Sequence, residues 1–470
     1  MLTVQSLYWV GGATGAPTTW DTSSQNWSTT SGGSANAMWT NGDQAIFGGT
    51  ATTINVASGI SADSIKFTAG GYILSGSNSL TVSGTHTIDV ASGLADTIST
   101  TLNCSGGMTK TSSGTLTLGG SNSYSGTTTV SAGTLAAGST GAFSSNSAFT
   151  VNSTLDLHGF DETISSLSST STSGLVSSLV SGTAILTEGS SGASSNFSGN
   201  IQDGSGGAGH VGLTKAGTGT LYLSGNNAYS GDTTVSGTLK AGSNTAFSSG
   251  SNYQLQSGGK LDLNGYSANI GSLSSSNSNG SVTNSGIGYG YGYGSNGYGY
   301  YPTPIAATLT EGSNNASSTF TGVIQDGYVS GYGNGYGTFY PQTGLIKTGS
   351  GALTLTGANT YTLGTTLSGG TLNLGSAETV GSSGPLGASS SSNHGNIVFS
   401  GGTLQYSSVN HNDYSGRFST AANQSVSIDT NGQNVTFATA LTSSGGTLNK
   451  LGAGTLTLSA ANTYTGVTTL

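Results

Sequence analysis

Charge is scarce in this chain. Asp, Glu, Lys and Arg together make up 5% of 470 residues, and the net charge is −9. The eight basic residues are scattered from Lys66 to Lys450 and make no patch, which argues against a nucleic-acid-binding surface. Cysteine is almost missing. Cys104 stands alone, so no disulfide pair can staple the fold, and it reads as a small buried apolar residue rather than a nucleophile. No run is apolar for long enough to span a membrane, so membrane attachment would need an anchor outside this sequence. The opening Met1-Leu-Thr-Val lacks the basic start and apolar core of a secretion signal; an exported form would have lost its signal. Sustained helical spacing with caps is absent throughout.

Glycine, by contrast, fills 81 positions, and Ser, Thr and Asn dominate the rest. Such a composition can mean disorder. Here 33% of residues are still hydrophobic, and they fall with period two. Leu116/Leu118, Leu221/Leu223, Leu353/Leu355 and Leu456/Leu458 each flank one Thr or Tyr. That alternation is a half-buried strand, and the chain reads as nearly all β.

Those leucine pairs belong to one recurring box. Lys110 to Tyr124 returns as Lys215 to Tyr229, Lys347 to Tyr361 and Lys450 to Tyr464, at spacings of 105, 132 and 103 residues. A unit near 104 residues is too long for one coil of a repeat fold and implies several coils of roughly 20 residues or more. Shorter echoes at Gly133-Thr-Leu135, Gly237-Thr-Leu239, Gly370-Thr-Leu372 and Gly402-Thr-Leu404 each open a strand after a turn. About 20 coils stacked ~4.8 Å apart would make a rod on the order of 100 Å long. The expected organisation is a Trp-rich capping region at 1–50 and a continuous β-solenoid at 51–470, of about four units. In the box, Leu should point inward and Thr outward. Asn122, Asn227, Asn359 and Asn462 share a turn slot, where Asn can bond backbone groups or tolerate left-handed dihedrals.

Between boxes, Leu186-Thr-Glu-Gly189 matches Leu309-Thr-Glu-Gly312, and Ile201-Gln-Asp-Gly204 matches Ile324-Gln-Asp-Gly327. These anchors locate about 17 and 9 extra residues in the longer unit, near 284–304 and 328–341. Both insertions are rich in Tyr and Gly. Tyr289, Tyr291, Tyr293, Tyr298, Tyr300 and Tyr301 lie in the first; Tyr328, Tyr332, Tyr336 and Tyr340 lie in the second. Tyr offers contact area at low entropic cost and Gly adaptability, which suits binding or assembly loops. The competing reading is a low-complexity insertion without order. Only one or two coils separate the insertions, so they are expected to meet in space. All four tryptophans, Trp9, Trp20, Trp27 and Trp39, fall in the first 39 residues. They read as an aromatic cap on the first coil, with a sugar-stacking site as the rival. No cap sequence precedes Leu470, so further chain or another molecule is expected beyond it.

The box, at its clearest from Leu451 to Gly466, resembles the autotransporter-associated β-strand repeat, also called the passenger-associated transport repeat. The stretches 401–406, 413–418 and 428–432, and the opening Tyr8 to Gly12 with Asn26 to Ser28, are similar to modules of such proteins. One departure is Leu363, which stands where the other boxes have Gly126, Gly231 and Gly466. The resemblance implies a right-handed parallel β-helix on the outer surface of a Gram-negative-type bacterium, exported by a C-terminal barrel. No barrel-like strand region appears before Leu470.

Catalysis would need a paired acid site. Asp156/Asp262, Glu188/Glu311 and Asp203/Asp326 recur once per unit, which favours turn or coil roles, and the adjacent pair Asp161-Glu162 reads as an exposed turn. The histidines His86, His158, His210, His394 and His411 lack metal-ligand spacing. No catalytic residue, cofactor or metal is therefore expected. The leading expectation is an extracellular structural rod that forms surface fibres by head-to-tail or lateral self-association. A monomeric passenger stalk adhering to host glycans or proteins is the alternative, and a carbohydrate-active β-helix the third reading.

Overall fold

The computed structural model describes residues 4–11, 18–84, 86–207, 209–294, 297–330, 338–388 and 395–470, the side chains of 290–294 and 297–300 excepted. The described fold is all-β, a parallel solenoid of about 19 turns, and its only helical pieces are two single-turn 3₁₀ segments. The chain divides into two compact units, Met1–Gly231 and Asp232–Leu470.

In the first unit, two nine-stranded sheets run along the coils, and a short third sheet joins Ser61–Ala62, Ser79–Val82 and Thr101–Asn103. Neighbouring strands lie about one coil apart in sequence and pair in parallel. One aliphatic ladder shows how the alternation becomes a core. Leu116 pairs with Leu135, Leu135 with Leu155, Leu155 with Val176 and Val176 with Ile201, and all five are fully buried. Each buried aliphatic side chain contributes about 1.5–3 kcal/mol relative to exposure. The second unit repeats the device with Leu239, Leu261, Val282 and Ile324. The echo triplets open strands as expected, at Thr134, Thr238, Thr371 and Thr403.

Coil length varies. Ladder partners Leu116 and Leu135 are 19 residues apart, whereas Ala268 and Leu309 are 41 apart, because the first Tyr/Gly insertion lies between them. Three of the four box leucine pairs are fully buried; Leu456 and Leu458 are half-buried.

The first 50 residues depart from parallel pairing. Ser6–Trp9 pairs in parallel with Gln44–Phe47 but antiparallel with Trp27–Ser28, which forms the sheet's last strand. Trp9, Trp20, Trp27 and Trp39 are at most 4% exposed; the first three pack on Phe47, and Trp39 packs on Trp27 and Trp20 with centroids 4.7 Å and 4.9 Å apart. No ring face is left open to a sugar.

Candidate functional site

Each residue of the lysine box has a distinct physical task. The lysine ammonium bonds the carbonyls of the turn that follows its strand. Lys110 Nζ reaches Thr111 O at 2.6 Å and Ser112 O at 2.8 Å; Lys450 Nζ reaches Leu451 O and Gly452 O; Lys215 and Lys347 bond Ala216 O and Thr348 O. Two of these lysines also meet a glutamate from the preceding coil. Lys215–Glu188 is 3.3 Å and Lys347–Glu311 is 3.7 Å, with all four side chains wholly buried. Burial pushes both glutamates above the usual carboxylate range against the pull of their lysines, and pulls Lys347 down. The recurring Leu-Thr-Glu-Gly sequence now has a reason. Gly189 and Gly312 have φ of 87° and 108°, and a Cβ there would come within 2.4 Å and 2.7 Å of the lysine nitrogen. Lys110 has no such glutamate, and its burial lowers its pKa to about 8 despite Asp89 nearby.

The box asparagines tie coils together. Asn122 Oδ1 accepts from Leu102 N at 2.7 Å and its Nδ2 donates to Ala142 O at 2.6 Å, so one amide spans two successive coils. Asn227, Asn359 and Asn462 accept from Ile201, Ile324 and Leu441 in the same way, and none of the four has a left-handed backbone. The box tyrosine closes the next turn: Tyr124, Tyr361 and Tyr464 hydroxyls meet Thr128, Thr365 and Thr468.

The repeated aspartates accept backbone N–H groups. Asp156 takes His158 N and Leu179 N; Asp262 takes Asn264 N and Ser285 N. Asp203 and Asp326 each hold the box residue after Tyr, through Ser230 Oγ and Thr362 Oγ1, both at 2.6 Å. Ser230, His210 and Asp203 therefore cluster, but Ser230 Oγ (2.7 Å) and Asp203 Oδ2 (3.1 Å) both address the same nitrogen, His210 Nδ1. A relay needs them on opposite ring nitrogens. The adjacent pair Asp161-Glu162 corrects the sequence reading. Asp161 is exposed, but Glu162 is buried and accepts Phe143 N (2.9 Å) and Ala142 N (3.3 Å), and burial lifts its pKa to about 7. A strand over Glu162–Thr163 turns that carboxylate inward, which adjacency in the sequence hides. Cys104 is buried, and its thiol is pushed up to about 12. No group of three metal-ligating side chains occurs among the described residues.

The two Tyr/Gly insertions meet at their bases. The first is a two-stranded antiparallel ribbon, Ile287–Gly294 with Gly297–Pro304, rather than an irregular loop. Its register sets Tyr291 opposite Tyr300 and Tyr293 opposite Tyr298. Tyr289 is 62% exposed and Tyr301 half-buried. The second starts with reciprocal Val329–Phe339 backbone bonds, and a further bond runs from Gly327 N to Pro341 O. Tyr328 and Tyr340 meet edge to face there, 5.8 Å between centroids at 69°, and are 67% and 59% exposed. Tyr332 and Tyr336 lie outside the described residues.

One residue holds both bases. Asn284 is fully buried; its Nδ2 donates to Ile305 O (2.7 Å) and Gln342 O (2.9 Å), and its Oδ1 accepts from Gly265 N (2.7 Å) and Gly286 N (3.0 Å). Sequence reasoning passed over it. The signal was present, because the aligned position in the preceding copy is Ser178, whose hydroxyl accepts only the counterpart bond from Gly159 N. Ser gives way to Asn where two insertion ends need donors.

Four segments, residues 108–137, 213–245, 345–374 and 448–470, match the passenger-associated-transport-repeat and contain the four lysine boxes. The chain is thus a parallel β-solenoid carrying four copies of that repeat. A stretch of 128 residues is 40% identical to the adhesin BmaC autotransporter of Brucella suis biovar 1 (strain 1330). That stretch is 25% of this chain and 4% of the Brucella protein. No solved structure matches the chain.

Proposed function

We propose that the chain is a stalk segment of an autotransporter passenger, displayed on the surface of a Gram-negative bacterium, with its Tyr/Gly insertions as the adhesive contacts. The observation that carries this reading is the recurrence of the passenger-associated repeat along a parallel solenoid. Similarity to part of an adhesin points the same way. A non-enzymatic role is supported by the repeated carboxylates: the aspartates are spent on backbone N–H groups and the glutamates on buried lysines. This was the alternative to fibre formation on sequence grounds. We read the buried tryptophan cluster as the cap of the first coil, since its antiparallel strand ends a parallel sheet. Lateral self-association is a second reading, favoured by the Tyr/Gly ribbon, whose outer edges pair with no other strand among the described residues.

The test is display of the chain on a Gram-negative host with and without residues 287–301. Adhesion to cultured host cells should fall on deletion while the amount displayed stays constant. Unchanged adhesion would defeat the adhesive role of the first insertion. Filaments in negative stain that vanish on the same deletion would establish the second reading.

A further inference from the structure

The internal repeat supplies a comparison within one chain. In the first copy, Asp203 bonds Val211 N and the Ser230 backbone and hydroxyl, and the chain after it turns through Gly204 and Ser205. In the second copy, Asp326 bonds Thr343 N and the Thr362 backbone and hydroxyl in the same pattern. There the chain after Gly327 leaves as the second insertion and returns at Pro341. The structural carboxylate is common to both copies. What the second adds is an exposed aromatic pair, Tyr328 and Tyr340, beside a shallow groove lined by Gln325, Asp326, Gln342 and Thr360.

We infer that this groove binds a pyranose ring of a neutral glycan. The inference rests on the adhesive reading above and gives its contact a chemistry. Tyr ring faces are electron-rich and suit the C–H face of a sugar, while phenol hydroxyls can bond its oxygens. The remaining lining groups are amides, hydroxyls and one carboxylate, the donor and acceptor set that adjacent sugar hydroxyls need. Gln342 is exposed and its Nε2 donates to Thr362 Oγ1 at 3.0 Å, which orients its amide along the groove wall. Among the described residues no Lys, Arg or His lines the groove, and Asp326 is there. Sialylated, sulfated or uronic sugars would find no counter-charge and one repulsive group. The position is also held: Asn284 anchors the return strand through Gln342 O, so less loop ordering remains for binding to supply.

The experiment applies purified residues 1–470 to immobilised neutral, sialylated and sulfated oligosaccharides. The wild type should be retained on at least one neutral class. Y328A/Y340A should weaken that retention about tenfold or more, near 1.4 kcal/mol, and Y328F/Y340F should largely keep it because the rings stay. Both tyrosines are well exposed, so the far-UV spectrum should be unchanged in either variant. Retention only on charged glycans, no retention on neutral ones, or indifference to Y328A/Y340A would each overturn the assignment. Adhesion to host cells, measured in parallel, separates the two readings. Adhesion that needs residues 287–301 but survives glycosidase treatment and Y328A/Y340A would overturn the glycan and keep the adhesin. Neutral-glycan retention without any cell adhesion would do the reverse.

Discussion

Lys215 and Glu188 illustrate what a buried charge does in a chain with so few. Each is enclosed on every side, and the ammonium divides itself between the carboxylate and the carbonyl of Ala216. Removing one partner leaves the other charged in a low-dielectric interior, at a cost of about 3–5 kcal/mol, whereas replacing both by apolar groups is often neutral. Lys215→Met should therefore lower the urea midpoint strongly, and the double change Glu188→Leu with Lys215→Met should restore most of the loss. A double variant as unstable as the single would show that the ammonium's carbonyl bonds, not the ion pair, dominate. Recurrence alone marks these acids as turn or coil groups. Their partners were not legible: 27 and 36 residues separate glutamate from lysine, and only the winding of one coil brings them together.

At the scale of elements, the two Tyr/Gly insertions share one buried amide. Asn284 makes four bonds to backbone groups of three different segments. Each buried backbone group left unpartnered costs about 1–3 kcal/mol. Asn284→Ala should speed amide hydrogen exchange at Gly265, Gly286, Ile305 and Ala307 while the Leu353–Leu372 ladder keeps its protection. Loss of protection along that ladder as well would mean that Asn284 supports the coil rather than the insertions. The alternation of Gly and Tyr was readable as an insertion, but its form was not. A ribbon or an irregular loop depends on whether the ends are held at strand spacing, and Asn284, just before the Gly/Tyr alternation, bonds both ends of the first insertion.

For the whole molecule, each coil contacts its neighbours, so stability should be a sum of local terms. Leu74 and Leu155 lie in the same sheet of the first unit, separated by the strands at Ala95–Ile98, Thr115–Leu118 and Thr134–Ala137. Four steps of ~4.8 Å place them roughly 19 Å apart. Leu74→Ala and Leu155→Ala should each cost about 2–5 kcal/mol, and the double variant should match their sum within ~0.5 kcal/mol. A cooperative excess, read from denaturant unfolding, would show coupling beyond nearest coils.

Period-two leucines, the recurring lysine box and the placement of the insertions were sufficient for an all-β solenoid of about this many turns. Those features are local, and a strand's alternation survives any arrangement that buries one face. Which asparagine joins which coils, which lysine finds a glutamate, and that Glu162 turns inward beside an exposed Asp161 depend on stacking register. Register relates residues about 20 apart, and variable coil length removes any constant spacing from which it could be read.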